Sequence, residues 1–341
     1  MNVSREEVAK LADVSVATVS YVYSGKRYVS DELRSRVKDA AQQLGYYPDF
    51  IAQSMANKKT KTLAVLVSDV ANPFIMQVLK GFQKAANKKG FFVNICGGEK
   101  YIESYVEAII SRRVEGVYLV VMAGDMTNRS INKMLDYGVR VVINSDWEEH
   151  DARCSCINTD YYDGMEKIIA HLSGLGHKEI IYLSCFTKEM QSDKRIDAFI
   201  KAHSKNICNN IPYIECGEPP YKSDMQTGYE MMLRVLDKNI AFTAVVCSND
   251  LMAIGAINAL NERGLKVPED ISIVGIDNIE MSRFYKPALT TLNTKSEEIG
   301  ARAFENLYMN IITDKNVLDI LKPELIVRDS TASPSANHNI N

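Results

Sequence analysis

The sequence predicts an α/β protein with a small all-helical unit at its N-terminus. Three observations carry this. Short apolar runs alternate with amphipathic helical stretches from Leu63 onward, and that alternation occurs twice in tandem. From Val3 to Met55, by contrast, the periodicity is helical throughout.

The first element opens at Ser4, an N-cap, with Glu7 three residues later completing a capping box. Val8, Leu11 and Ala12 then share one face. The pattern stops at Ala12-Asp13-Val14 and restarts at Ser15, a second N-cap, with Thr18 following and Val19 and Val22 facing inward. Helix, tight turn and a second helix with polar residues at its start is how a helix-turn-helix reads. A plain helical hairpin has the same periodicity. A third helix opens at Val29-Ser30-Asp31-Glu32-Leu33, places Leu33, Val37, Ala40, Ala41 and Leu44 at helical spacing, and closes at Gly45. Three such helices hold just enough apolar surface to fold as a headpiece. Asp49 to Ala56 makes only about two turns beyond Pro48, too short to hold as a helix alone in water.

Leu63–Val67 is a continuous apolar run, as a strand buried on both faces of a parallel sheet should be. A helix follows from Pro73 to Lys89, then a strand at Phe91–Ile95, a helix around Tyr101 to Arg113, and a strand at Val117–Val121. Helix Asn128–Tyr137 and strand Val139–Ile143 close the first series. The second series reads helix Tyr161–Gly174, strand Glu179–Leu183, helix Asp193–Ser204, strand Tyr213–Cys216 and helix Thr227–Asp237. Strand Ala244–Cys247, helix Leu251–Gly264 and strand Ile271–Val274 follow. Two doubly wound units in tandem imply two lobes with a cleft between them.

The 341 residues suffice for two or three domains, and the net charge is −3. Residues 1–61 carry ten Lys/Arg against seven Asp/Glu, a surplus of three, which leaves about −6 on the remainder. A weakly basic headpiece permits a nucleic-acid partner without demanding one. Seven cysteines without a C-x-x-C pair read as reduced thiols, and no metal site is expected. No secretory leader is read ahead of Val3 and no apolar run reaches a membrane span, so the expectation is a cytoplasmic protein with no membrane partner.

Ser15-x-x-Thr18-Val19-Ser20, Gly45-Tyr46-x-Pro48, Ala52, Ala56 and Asn72-Pro73-Phe74 together resemble the lac-repressor (LacI) family of transcription regulators, in order and spacing over nearly the whole chain. The resemblance implies a helix-turn-helix headpiece over 1–47 and a hinge helix and linker over 48–61. Behind them it implies a periplasmic-binding-protein-like (type I) core whose chain crosses between lobes three times. Its first lobe would take 62–158 and 293–322, its second 159–292 and 323–331, and 332–341 would be a loose tail.

It also implies a homodimer on double-stranded DNA at a pseudo-palindromic operator, since two-fold protein symmetry demands two-fold DNA symmetry. A small-molecule effector would modulate that grip, as inducer or as corepressor, and some relatives use a protein corepressor. The positions that set the operator match Val16, Ala17 and Tyr21. The first two can touch thymine methyls but cannot read guanine bidentately, and Tyr21 replaces the family's usual arginine. Ser15, Thr18 and Ser20 read as phosphate-contacting or capping residues, as do Lys26 and Arg27. Met55 matches the family's minor-groove wedge and Ala52 the small residue packed beside it.

Ligands bind beyond the C-terminal ends of strands in α/β sheets. There the sequence places Asn72 and Phe74 after the first strand, Asn144 and Asp146 after Ile143, Asn249 and Asp250 after Cys247, and Asp277 after Ile276. Arg195-x-x-Ala198-Phe199 resembles the family's R-x-x-G-[FW]. Asn249 is read as facing ligand and Asp250 as capping the next helix; Tyr221 is the nearest candidate for the family's aromatic residue before Gly228. Arg, Asn and Asp together form a hydroxyl-binding set that suits a sugar or polyol better than a purine.

No cofactor is expected. Neither G-x-x-x-x-G-K-[ST] nor a G-x-G-x-x-G after a strand occurs, Gly174-Leu175-Gly176 follows a helix, and the five histidines show no paired metal spacing. Ser35-x-x-Lys38 spells a catalytic pattern inside a headpiece helix. The reading is therefore a repressor and not an enzyme. The alternatives are a solute-binding protein, or a sugar-modifying enzyme, without operator specificity.

Overall fold

The computed structural model describes residues 3–25, 27–47, 59–98, 102–120, 126–144, 153–186, 194–207, 211–218, 222–238 and 240–335. They form two units, 1–61 and 62–341.

The first unit is three helices: α1 (Arg5–Leu11), α2 (Val16–Ser24) and α3 (Asp31–Leu44). Each begins at the serine the sequence nominates. Ser4 and Glu7 bond reciprocally, Ser15 Oγ accepts from Thr18 N at 3.0 Å, and Ser30 Oγ accepts from Leu33 N. Gly25 and Gly45 close α2 and α3 in the left-handed region that glycine enters without strain. Val8, Ala9, Ala12, Val19, Val37, Ala40, Ala41 and Tyr46 make the core. Leu11, expected inside, is 45% exposed, because the seven-residue helix turns Ala9 inward instead. Arg36 locks the turn between α1 and α2 by donating to the carbonyls of Ala12 (2.7 Å) and Asp13 (3.2 Å). The hinge segment, with Ala52 and Met55, lies outside the described residues, as do Lys26, Asp146 and Tyr221.

The second unit holds two six-stranded sheets. Its elements are β1 (Thr62–Val67), α4 (Pro73–Lys88), β2 (Phe92–Gly97), α5 (Ile102–Ser111), β3 (Gly116–Val120), α6 (Asn128–Asp136), β4 (Arg140–Ile143) and β5 (Ser155–Thr159). There follow α7 (Tyr161–Gly174), β6 (Ile180–Ser184), α8 (Lys194–Asn206), β7 (Ile214–Cys216), α9 (Met225–Asp237), β8 (Ala244–Cys247), α10 (Asp250–Glu262) and β9 (Ser272–Ile276). The chain ends with α11 (Glu280–Phe284), β10 (Thr290–Asn293), α12 (Ser296–Thr313), β11 (Leu318–Leu321) and β12 (Glu324–Ile326). The first sheet runs β11-β5-β4-β3-β1-β2, all parallel. The second runs β12-β10-β9-β8-β6-β7, parallel except that β12 pairs antiparallel to β10. The chain passes between sheets three times: after Thr159, after Asn293 and after Leu321.

Each sheet is buried on both faces. Leu63, Val65 and Val67 face one apolar cluster and Ala64 and Leu66 the opposite one, which is why that strand reads as an unbroken apolar run. The second sheet repeats this with Ile181 and Leu183 against Ile180 and Tyr182. Both sheets also share a device for close helix packing. Gly81 on α4 faces α12 and Gly300 on α12 faces α4, and a methyl group at either would overlap the other helix's backbone. Gly228 on α9 and Gly255 on α10 do the same in the second sheet.

Boundaries differ from the sequence reading where a cap intervenes. Asp224 accepts from Thr227 N at 2.8 Å and starts α9 at Met225, ahead of the expected Thr227. Ala332, expected at the start of a loose tail, is anchored: its carbonyl accepts from His177 Nε2 (2.8 Å) and its N–H donates to Ser272 Oγ (3.0 Å). Among the described residues no helix is long and apolar enough to cross a membrane.

Candidate functional site

The described residues among those predicted fall in both units. In the headpiece, burial of Val19 against α1 and α3 turns the opposite face of α2 outward. Val16 and Ala17 are exposed, and Ser20 and Tyr21 are half-buried on the same side. Ser15 and Thr18 are occupied with each other: their hydroxyls are 2.9 Å apart while Ser15 caps the helix. The Arg27 guanidinium carbon lies 5.2 Å from the centre of the Tyr21 ring.

In the core, each described candidate follows the end of a strand or starts a helix, and several of these side chains have structural work. Asn72 caps α4, its Oδ1 accepting from Phe74 N at 2.9 Å, and Phe74 packs half-buried against the first sheet's core. Asn144, half-buried, continues from β4, its N–H donating to Leu119 O at 2.8 Å. Asn249, not Asp250, caps α10. Its Oδ1 accepts from Met252 N and its Nδ2 donates to Ser223 O, both at 2.8 Å, so among the described residues one amide proton has no acceptor. The expectation that Asp250 caps this helix is corrected. Its carboxylate points back under β9, accepting from Thr291 Oγ1 and, at 2.8 Å, from Ile279 N. Gly275 makes this possible, because a side chain there would collide with Asp250 Oδ1.

Asp277 follows β9 and is 9% exposed. Its φ of 111° and that of Asn278 at 56° both lie in the left-handed region, which is strained for residues with a Cβ. Arg328 offsets that strain. It donates to Asn278 Oδ1 (2.6 Å), Ser282 Oγ (3.1 Å) and Leu289 O (2.7 Å), tying the loop to the segment after β12. No described donor bonds the Asp277 carboxyl; burial and the neighbouring Asp250 push its pKa well up, against the pull of Arg195. Asp250 is pushed up to about 7 by burial, opposed by the Thr291 hydroxyl, the Ile279 amide and the charge of Arg328.

Arg195, near the start of α8, lies near two aromatic rings, its guanidinium carbon 4.7 Å from the centre of Phe186 and 5.3 Å from that of Tyr161. Burial pushes the Cys156 thiol of β5 up to about 11, against the pull of the Lys194 charge. Arg195 and Asp277 are thus brought within electrostatic range, one beside two rings and the other with no donor among the described residues. Phe186 and Tyr161 were missed in the sequence. Phe186 lies just past the end of β6, where the strand-end rule would have found it.

Two family profiles match the chain, "Bacterial regulatory proteins, lacI family" over residues 6–49 and "Periplasmic binding protein-like domain" over residues 169–331. The chain is 32% identical over 336 residues to the "HTH-type transcriptional repressor PurR" of Pasteurella multocida (strain Pm70), covering 96% of this chain and 98% of that one. Among solved structures it resembles the lac repressor dimer bound to operator and the anti-inducer ONPF, with a TM-score of 0.81 at 25% identity over 97% of this chain and 100% of that one. It also resembles a LacI family transcriptional regulator from Enterococcus faecium with bound ribose, with a TM-score of 0.70 at 26% identity over 80% and 100%.

Proposed function

The chain belongs to the lacI family of bacterial regulatory proteins, and we propose that it is a transcriptional repressor whose grip on an operator is set by a small polar effector. On this reading residues 1–47 bind DNA and 48–61 link them to the core. The effector lies between a lobe of 62–158 with 293–322 and a lobe of 159–292 with 323–331. The exposed face of α2, carrying Val16, Ala17, Ser20 and Tyr21, enters the major groove, with Ser15 and Thr18 fixing its N-terminus. The working form is a homodimer on a pseudo-palindrome. Met55 wedges the minor groove with Ala52 packed beside it.

The observation that carries the effector side is the Asp277 carboxyl, nine-tenths buried, with no donor among the described residues, and within reach of the charge of an arginine that lies near two aromatic rings. A buried polar group is stable only with a partner. A hydroxyl-bearing ligand supplies one, donating to Asp277 and accepting from Arg195, while Phe186 and Tyr161 offer apolar faces to a sugar ring. Asn72, Phe74, Asn144 and Asp146 meet the ligand from the other lobe, and Asn249 contributes its remaining amide proton. Bound ribose in the Enterococcus faecium relative supports the sugar class. The chain binds and releases; it carries out no bond-making chemistry.

A thermal-shift screen of sugars and polyols followed by gel shifts of a selected operator tests this reading. The expected result is one sugar that stabilises the protein and changes operator affinity. Asp277→Ala abolishes that change while leaving basal DNA binding intact, and Met55→Asp does the reverse. A response unchanged in Asp277→Ala places the effector elsewhere.

A further inference from the structure

We propose that Tyr118 is a positioning residue of the effector site: its buried hydroxyl holds the amide nitrogen of Asn144, so that Asn144 presents its carbonyl oxygen to a hydroxyl of the sugar. The inference rests on the effector reading of Asn144 and deepens it.

Tyr118 is the middle residue of β3 and is fully buried. Apolar packing places its ring. It belongs to the cluster on the α4 and α12 side of the first sheet and stacks on Phe82 of α4, the ring centres 5.2 Å apart and the planes 14° from parallel. Phenylalanine would satisfy that packing equally well. The hydroxyl is what packing leaves unexplained. It is out of contact with water and makes no hydrogen bond among the described residues, a destabilising state that calls for a polar partner.

The sheet register points to that partner. Tyr118 pairs with Val142 of β4, and both side chains enter the same cluster. Asn144 lies two residues beyond Val142 and prolongs the ladder, its N–H donating to Leu119 O at 2.8 Å. Strand alternation therefore returns the Asn144 side chain to the face of Tyr118, about 6.6 Å further along. Burial pushes the Tyr118 pKa strongly up and the Asn144 amide draws it down, as an N–H directed at the phenol oxygen does. Asparagine has one donor end and one acceptor end. With the nitrogen held inward by Tyr118, the oxygen is turned out beyond the strand end, where it accepts from a ligand hydroxyl. Phe74 packs on the same cluster from the start of α4, so a ring for stacking and an oxygen for bonding share one side of the sheet.

The full-length protein, Tyr118→Phe, Asn144→Ala, Asn144→Asp and the two double variants are titrated calorimetrically with ribose, glucose, sucrose, cellobiose and sorbitol. The melting temperature of each ligand-free protein is also recorded. The wild type is expected to bind at least one of the five. Tyr118→Phe weakens that binding about tenfold, the equivalent of one hydrogen bond. Its ligand-free melting temperature stays the same or rises, because phenylalanine keeps the ring and discards an unpaired hydroxyl. In the Asn144→Ala background Tyr118→Phe changes affinity by less than about twofold, since the hydroxyl acts through the amide. In the Asn144→Asp background both ends of the side chain accept, no orientation has to be held, and Tyr118→Phe again costs less than about twofold. Equal affinities of wild type and Tyr118→Phe overturn the proposal and leave the effector reading standing. So does a tenfold loss that persists in both Asn144 backgrounds, or a ligand-free Tyr118→Phe that melts lower with its affinity intact. A wild type that binds none of the five overturns the effector reading and the proposal with it.

Discussion

Replacing Asp250 with asparagine should flatten the pH dependence of stability between pH 5 and 8. Asp250 is fully buried, and its carboxyl is pushed from an ordinary value of 3.8 up to about 7. The sign follows from linkage. A carboxyl with a raised folded-state pKa favours the folded protein at low pH, and that benefit is lost as pH rises through the folded value. Between pH 5 and 7 the unfolded chain has released this proton while the folded chain has kept it. Two pH units at about 1.4 kcal/mol each cost the wild type about 3 kcal/mol, a large part of an ordinary domain's stability. Asparagine reproduces the neutral form: its oxygen can accept from Ile279 N while its amide donates to Thr291 Oγ1, reversing the hydroxyl. His177, whose pKa burial lowers, gives the opposite slope and is present in both proteins, so its contribution cancels in the difference; Asp277, which burial and Asp250 both push up, is less raised in Asp250→Asn, and that moves the gap in the same direction. Urea denaturation followed by circular dichroism at a series of pH values measures the gap. It should move in favour of Asp250→Asn by about 3 kcal/mol from pH 5 to 8. A gap that stays constant would refute the argument that this buried carboxyl holds its proton near neutrality.

Arg328→Met removes three hydrogen bonds from a charged donor and a cation whose charge draws down the Asp250 carboxyl. It should destabilise the protein by about 3 kcal/mol and weaken any sugar response while sparing operator binding, read by denaturation and gel shift. Gly255→Ala forces a methyl group into the backbone of α9 at Met225 and should cost about 2 kcal/mol or more in the same denaturation series. Ser15→Ala removes the cap of α2 and should lower headpiece stability by about 1 kcal/mol, visible as reduced helicity and weaker binding to all duplexes alike. Lys295→Met breaks an exposed ion pair with Glu324 at 2.7 Å and should leave the denaturation midpoint unchanged while altering the effector-induced change in operator affinity.

The sequence was most legible where one local rule decides an element. The three headpiece serines cap by a pattern that spans four residues, and Leu63–Val67 needs only its composition to declare burial on both faces. Ser155-Cys-Ile-Asn-Thr159 and Thr290-Thr-Leu-Asn293 could not be read this way. Each has a single large aliphatic residue and becomes a strand only through pairing with segments far away in sequence, β5 with β4 and β11, β10 with β9 and β12. The same limit applies in the site. Asn249 and Asp250 were placed as a pair after β8, but which one caps and which one turns under the sheet depends on space left by Gly275, about 25 residues on. Arg328 gave no signal, because its partners come from three other segments.

The packing of the two sheets constrains how an effector can be felt at the headpiece. Each sheet is filled on both faces, and in each a pair of glycines locks two helices backbone to backbone, so neither body can deform without opening a void or a clash. Movement is therefore left to the three crossings, and these are tied to one another. Asp160 N donates to Leu321 O and Lys167 Nζ to Pro323 O, each at 2.8 Å, while Lys295, held at φ 61°, reaches Glu324. Segments bonded side by side bend as one, so under the proposed function a ligand that drew the strand ends of the two sheets together would be answered by rotation about this single strap. The first sheet is the body that the headpiece linker enters at β1, and in the proposed homodimer its rotation relative to its mate is what the linkers would report. On this argument the affinity change comes from the geometry of the crossings and not from any contact between effector and headpiece, which is why a substitution at Lys295 is expected to alter the response without altering the fold.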